Sequence, residues 1–159
     1  MLFNLQYFKH YHMPIIMVGI IAFAVFSACG HPGDKKQMEE YTDSFAIHYF
    51  NWQFKKAIPY CTQESEKWLR YAASNVHQED VDALRGMEQG AQTEVGDIQF
   101  GNDDSMATVK ITVKNYLRMD TIGKMGHVVA GDSHFTLPLV YHNMKWKIHL
   151  TRLPKPDKQ

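Results

Sequence analysis

Two periodicities divide the chain. From Gln37 to Ala57, apolar residues recur at Met38, Tyr41, Phe45, Tyr49 and Trp52, and a second row, Ala46, Phe50, Phe54 and Ala57, runs beside the first. Spacings of three and four predict one helix over 37–57, and the breadth of the apolar stripe predicts that it lies against a sheet. Pro59 ends it. Thr62 then has the form of an N-cap, with Glu64 and Glu66 in the first turn; Trp68, Leu69, Ala72, Ala73 and Val76 supply the inner face of a second helix. A third, short helix is predicted over Glu79–Met87.

Later in the chain the period becomes two. Ala107, Val109, Ile111, Val113 and Leu117 share one parity of a long strand, and Thr108, Lys110, Thr112, Lys114 and Arg118 share the other. "SHFTLPLVY" and "MKWKIHL" read as two further strands. A two-residue turn at His142-Asn143 pairs residues whose numbers sum to 285: Leu139 with Trp146, Leu137 with Ile148, Phe135 with Leu150. All are large and apolar, and a one-residue slip would turn one set outward. Pro138, on the outward parity, lacks an N–H and predicts an edge or bulge there. A strand around Thr93–Gly101 loses its inward parity at Gly96, between Val95 and Ile98, which predicts a bulge. "DTIGKMGHVVAGD" mixes three glycines with Ile122, Met125, Val128 and Val129, and fits either a functional segment, as a flap over a pocket or a surface that docks a partner, or an extension of the flanking strands. Helices first and an antiparallel meander afterwards make an α+β domain.

A different pattern precedes the domain. Met1–His12 carries Lys9 and no acid, Met13–Phe26 carries no charge, and Ser27, Ala28 and Cys29 follow. The uncharged run is shorter than the ~20 residues that span a bilayer. A basic start, a short apolar core and a small-residue junction make a secretory signal peptide. "FSAC" resembles the lipobox of bacterial lipoproteins, with Phe26 where that family usually has leucine. The resemblance implies cleavage before Cys29 and a diacylglyceryl group on its thiol. At ~0.8 kcal/mol per buried methylene, two chains anchor a domain without a second signal. An uncleaved anchor helix and a plain export signal are the alternatives. The expected organisation is a signal peptide over 1–28, a lipidated Cys29 and flexible tether over 29–36, one domain over 37–153 and a tail over 154–159.

Charge narrows the partners. The chain has 17 basic and 17 acidic side chains; without residues 1–28 the basic count is 16, so the exported part carries a net −1. That argues against a nucleic-acid binder, which would carry a basic stripe. Cys61 is the one cysteine besides Cys29, so no intramolecular disulfide is expected after lipidation. The sequence holds no Gly-rich phosphate loop, G-x-S-x-G, H-E-x-x-H or C-x-x-C, and no cofactor is expected. Tyr49, Asn115 and Tyr141 are candidate pocket-lining residues, against the reading of two core aromatics and a satisfied polar group at the sheet's end. In the 285 register, His134 and His149 are diagonal neighbours at ~7 Å, but no third ligand joins them and no metal site is assigned. Cys61 precedes a helix start, where a thiol can be activated, against the reading of a semi-buried structural cysteine.

The aromatic first helix "YTDSFAIHYFNWQFKKAIPYC", then "TQESEKWLRYAA" and the closing "KWKIHL", resemble the cone-shaped nuclear transport factor 2-like superfamily, of cystatin-like outline. They are most similar to its small lipoprotein members in Gram-negative bacteria, over residues 37–153. The resemblance implies an antiparallel sheet curved around the first helix, with a pocket at the open end. It implies no single activity, because members include isomerases, dehydratases, binding modules and dimerisation domains. No motif here matches the Asp base and Tyr/Asp oxyanion hole of its steroid isomerases. The expectation is a cell-envelope module, held to a membrane through Cys29, that binds a small hydrophobic ligand or an envelope protein. Homodimerisation is left open, and the alternative is a pocket enzyme of isomerase or dehydratase type.

Overall fold

The computed structural model of the chain describes residues 34–119 and 124–158. The signal-peptide and Cys29 readings lie outside the described residues. Among the described residues four α-helices lead: α1 (Asp34–Phe50), α2 (Phe54–Ala57), α3 (Glu66–Ser74) and α4 (Gln78–Gly86). Single 3-10 turns at Ile58–Tyr60 and Gln63–Ser65 join α2 to α3. The described strands follow: β1 (Gln92–Phe100), β2 (Met106–Lys114), β3 (Tyr116–Arg118), β4 (His127–Val129), β5 (Ser133–His142) and β6 (Lys145–Ile148). β1, β2, β5 and β6 form an antiparallel sheet in the order β1-β2-β5-β6, and β3 and β4 pair as a separate ribbon. The domain is α+β, as its two periodicities predict.

α1 lies against one face of the four-stranded sheet. Its buried Met38, Phe45, Ala46 and Phe50 meet Val109, Ile111 and Val113 of β2, Phe135, Leu137 and Leu139 of β5, and Trp146 and Ile148 of β6 in one core. These are the inward parities expected. The bulge in β1 is also where expected: pairing shifts by one residue between Val95 and Ile98.

The single helix expected over 37–57 is two helices. Trp52 adopts φ 57°. The Gln53 N–H bonds the His48 carbonyl at 2.8 Å and the Trp52 N–H the Tyr49 carbonyl at 3.0 Å, the paired bonds of a Schellman terminus. The left-handed position of that motif favours glycine, and a side chain there costs roughly 1–2 kcal/mol. Burial and bonding offset the cost. The indole packs against the core and its Nε1 donates to the Leu117 carbonyl at 2.9 Å. Asn51 docks the break onto the start of β1, its Oδ1 accepting from the Ala91 N–H at 2.8 Å. A Cβ on Gly90 would lie 2.3 Å from that Oδ1, so the close approach requires glycine. In α3, Leu69 and Ala72 are buried whereas Ala73, expected inside, is exposed.

The β5–β6 hairpin corrects the 285 register. Leu139 pairs with Ile148 and Tyr141 with Trp146, a sum of 287. The turn is Asn143-Met144, with φ of 50° and 60°. Positive φ at both central positions is what a type I′ hairpin requires. Moving the turn by one residue moves the sum by two, so every inward residue stays inward. Trp146 is fully buried, but Leu139 is its diagonal rather than its direct neighbour. Pro138 sits on an interior strand, yet its N side faces residue 149, where β6 has ended; the His149 N–H bonds its carbonyl at 2.8 Å. The bond proline forgoes is the reciprocal one to the His149 carbonyl, just past the end of β6, so the ladder between Lys145–Ile148 and β5 is untouched.

The long strand ends at Lys114. Asn115 takes φ 50°, parity breaks, and Tyr116 and Leu117 are both buried in β3. Of the two readings of the glycine-containing stretch, pairing is observed over its described part, since β4 joins β3 there. Met125 and Val128 nevertheless stay exposed.

Candidate functional site

A cavity of about 420 Å³ opens beside the end of the core that α1, α2 and β3 share. Volumes of ~300–1,000 Å³ are usual for small-molecule sites. Tyr49, Phe50, Trp52 and Phe54 reach it from the helix break, Tyr116, Leu117 and Arg118 from β3, and Phe135 from β5. Ala72 of α3, Met119 after β3 and residues 153–158 of the C-terminal segment complete the wall. The left-handed Trp52 is what allows this: a helix continued through 52 would carry its side chains round to other faces.

Three rings form the floor. Phe50 and Phe135 lie 4.7 Å apart, Phe50 and Tyr116 5.4 Å, and Tyr116 and Phe135 5.9 Å, the last two edge-on. Such contacts hold the rings beyond simple area burial. Tyr116 is 2% exposed, and among the described residues its hydroxyl has no hydrogen-bond partner. A buried hydroxyl in that state costs about 1–3 kcal/mol relative to a paired one. Burial also raises the titration of the Tyr49 hydroxyl, keeping it protonated at neutral pH. The C-terminal segment is docked through Asp157, whose N–H bonds the His134 carbonyl at 2.8 Å and whose Oδ2 accepts from the Thr136 hydroxyl at 2.9 Å.

Of the three residues singled out from sequence, Tyr49 lines this cavity, Asn115 lines a separate, more open one between the end of α4 and β4, and Tyr141 lies elsewhere. Asn115 turns away because of its positive φ, and its Nδ2 donates to the carbonyls of Gln89 and, at 3.4 Å, Gly90. Tyr141 packs on Trp146 with ring centroids 5.4 Å apart. It is six residues along β5 from Phe135, or ~20 Å at 3.3 Å per residue. Arg118, Tyr116 and the 153–158 segment were not singled out. Tyr116 shifts parity only because Asn115 breaks the strand, and "LPKPDK" has the composition of a solvated tail.

The histidine pair dissolves with the register. His149 lies opposite Pro138, four residues from His134, and bonds Thr62 Oγ1 at 3.2 Å, whereas His134 bonds Thr112 Oγ1 at 3.2 Å. Among the described residues no group of three His, Cys, Asp or Glu side chains could hold a metal ion. Cys61 is buried and its thiol donates to the Ala57 carbonyl at 3.6 Å. Burial pushes that thiol from 9.0 up to about 12, with Lys147 pulling weakly the other way. This is the reverse of activation. Above about pH 9 the unfolded chain binds fewer protons than the native one, so this contribution is whole below pH 9 and is lost as pH rises towards 12. Stability should fall by up to ~1.4 kcal/mol per pH unit on that limb. Urea melts of Cys61→Ala should show a shallower alkaline limb than the parent. An unchanged slope would mean that the thiol titrates normally.

No family model matches the sequence, and no curated protein matches it. The structure is similar to an NTF-2 like protein of unknown function from Shewanella oneidensis, at 12% identity, covering 72% of this chain and 96% of that one with a TM-score of 0.47. It is similar to a protein of unknown function with a cystatin-like fold from Nostoc punctiforme, at 11% identity over 78% of this chain and 91% of that one, TM-score 0.46. An uncharacterized protein with a cystatin-like fold from Caulobacter vibrioides is similar at 8% identity, over 79% and 90% of the two chains, TM-score 0.45. The likeness is one of fold class, which the helices and antiparallel sheet themselves establish.

Proposed function

We propose that the chain is a lipid-anchored module of the bacterial cell envelope, held to the membrane through Cys29, that binds a small hydrophobic molecule without transforming it. One observation carries the binding reading: the aromatic-walled cavity itself, lined by Tyr49, Phe50, Trp52, Phe54, Tyr116 and Phe135, with Arg118 as a polar group among its lining residues. A mostly apolar site with few polar groups is the usual construction of a ligand pocket. The composition of the wall supports binding over chemistry. Among the described residues its one carboxylate, Asp157, is at the segment that docks on β5, and no histidine lines it. A general acid or base would have to be within hydrogen-bond reach of a bound substrate. The lipobox-like "FSAC" supports the anchor.

Two measurements on the full-length chain test the two halves. Mass spectrometry of the membrane fraction should find a diacylglyceryl Cys29 as the N-terminus, and an intact Met1 in most molecules would refute the anchor. N-phenyl-1-naphthylamine, a neutral fluorophore, should bind saturably at one site and quench tryptophan emission, and Trp52→Phe should remove most of that quenching. Unsaturable or absent binding would refute the pocket.

A further inference from the structure

Resting on that binding reading, we infer that the ligand is an amphipathic anion: a carboxylate, sulfonate or phosphate joined to one compact apolar body. The cavity is apolar within and cationic at its rim. Arg118 of β3 and Lys155 and Lys158 of the C-terminal segment all line it. Among the described lining residues Asp157 is the single acid, and it is turned to the Thr136 hydroxyl on β5, where it fastens the segment. Among the described residues the two lysines of the segment outnumber that one carboxylate, and they set the positive sign of the mouth. The excess is local, because residues 29–159 together carry −1.

Lys155 and Lys158 are exposed and form no ion pair among the described residues. Long cationic side chains beside an apolar wall can lay their stems along it and keep their charge at the water boundary. A ligand with its anion at that boundary and its rings inside would meet both surfaces at once. A neutral molecule would gain only the apolar part, and a cation would be repelled. The volume, near the lower end of the usual range for ligand sites, favours one ring system or one short chain over a two-chain lipid.

The test uses two probes with the same rings, N-phenyl-1-naphthylamine and 1-anilinonaphthalene-8-sulfonate, titrated into the full-length chain. At low salt the sulfonate should bind about tenfold more tightly than the neutral amine, an advantage that shrinks as salt screens the rim. In Lys155→Gln/Lys158→Gln the ratio of the two affinities should fall towards one, with the melting temperature of the parent as the check on folding. If neither probe binds the parent, the binding reading itself fails. If both bind with equal affinity, or the ratio survives the double substitution, the pocket stands and the anion preference is overturned.

Discussion

Truncation of Trp146 to alanine is expected to cost the domain about 3–5 kcal/mol, the range for deleting a fully buried large aromatic. The indole is 0% exposed. It stands at the meeting of three elements: Tyr141 of β5 lies 5.4 Å from it, Phe100 of β1 6.0 Å, and its own backbone N–H bonds Gln37 Oε1 of α1 at 2.7 Å. The backbone bond survives truncation, so the loss is one of packing. One effect runs the other way. The indole Nε1 has no partner among the described residues, so removing it relieves an unpaired buried donor. Trp146→Phe should therefore lose clearly less than Trp146→Ala, because a phenyl ring keeps part of the contact and drops the N–H. Urea melts with an unchanged m-value measure both. A loss under about 1 kcal/mol for the alanine variant would place the ring outside the core.

Trp146 also shows how far the sequence could be read. Its burial followed from period two. Its partner did not, because sums of 285 and 287 put the same residues on the same face. Turn chemistry separates them, and there the signal is weak: Asn143 suits a left-handed position, whereas Met144 carries no such preference and takes φ 60° with its side chain exposed. The break in the first helix is hidden for a similar reason. Trp52 and Phe54 both pack against or within the core, so the apolar spacing runs on through a point where the backbone turns, and a tryptophan in the glycine position of a helix terminus gives no warning. Tyr49 was legible as a pocket residue because it lies on the inner stripe near the helix end. Lys155 and Lys158 were not, because what fastens their segment is two contacts to β5, Asp157 with Thr136 and with the His134 carbonyl, far away in sequence.

Asp80 was equally silent, as an acid in the first turn of a short helix, and its removal should have the second large effect. It is 0% exposed, and both carboxylate oxygens are used. Oδ2 accepts from the His77 N–H at 2.9 Å, closing the start of α4, and Oδ1 accepts from the buried Gly126 N–H at 2.8 Å. A Cβ on Gly126 would sit 2.9 Å from Leu117 Cγ and 3.2 Å from the Arg118 carbonyl, so the chain can pass there only as glycine. Asp80 thus pins β4, β4 pairs with β3, and β3 supplies Tyr116, Leu117 and Arg118 to the cavity. Asp80→Ala loses a helix N-terminal bond, about 0.5–2 kcal/mol, and leaves a buried N–H unpaired, about 1–3 kcal/mol. The expected sum is roughly 2–4 kcal/mol, since the terms share one side chain and need not add fully. Asp80→Asn keeps one carbonyl acceptor and should lose less. Hydrogen exchange separates a latch from general weakening: amides of His127–Val129 should lose more protection than those of Val109–Val113. Equal loss in both stretches would show that Asp80 stabilises the domain as a whole. With the latch gone, β3 loses its support, and affinity for the naphthylamine probe should fall even at temperatures where the sheet remains folded.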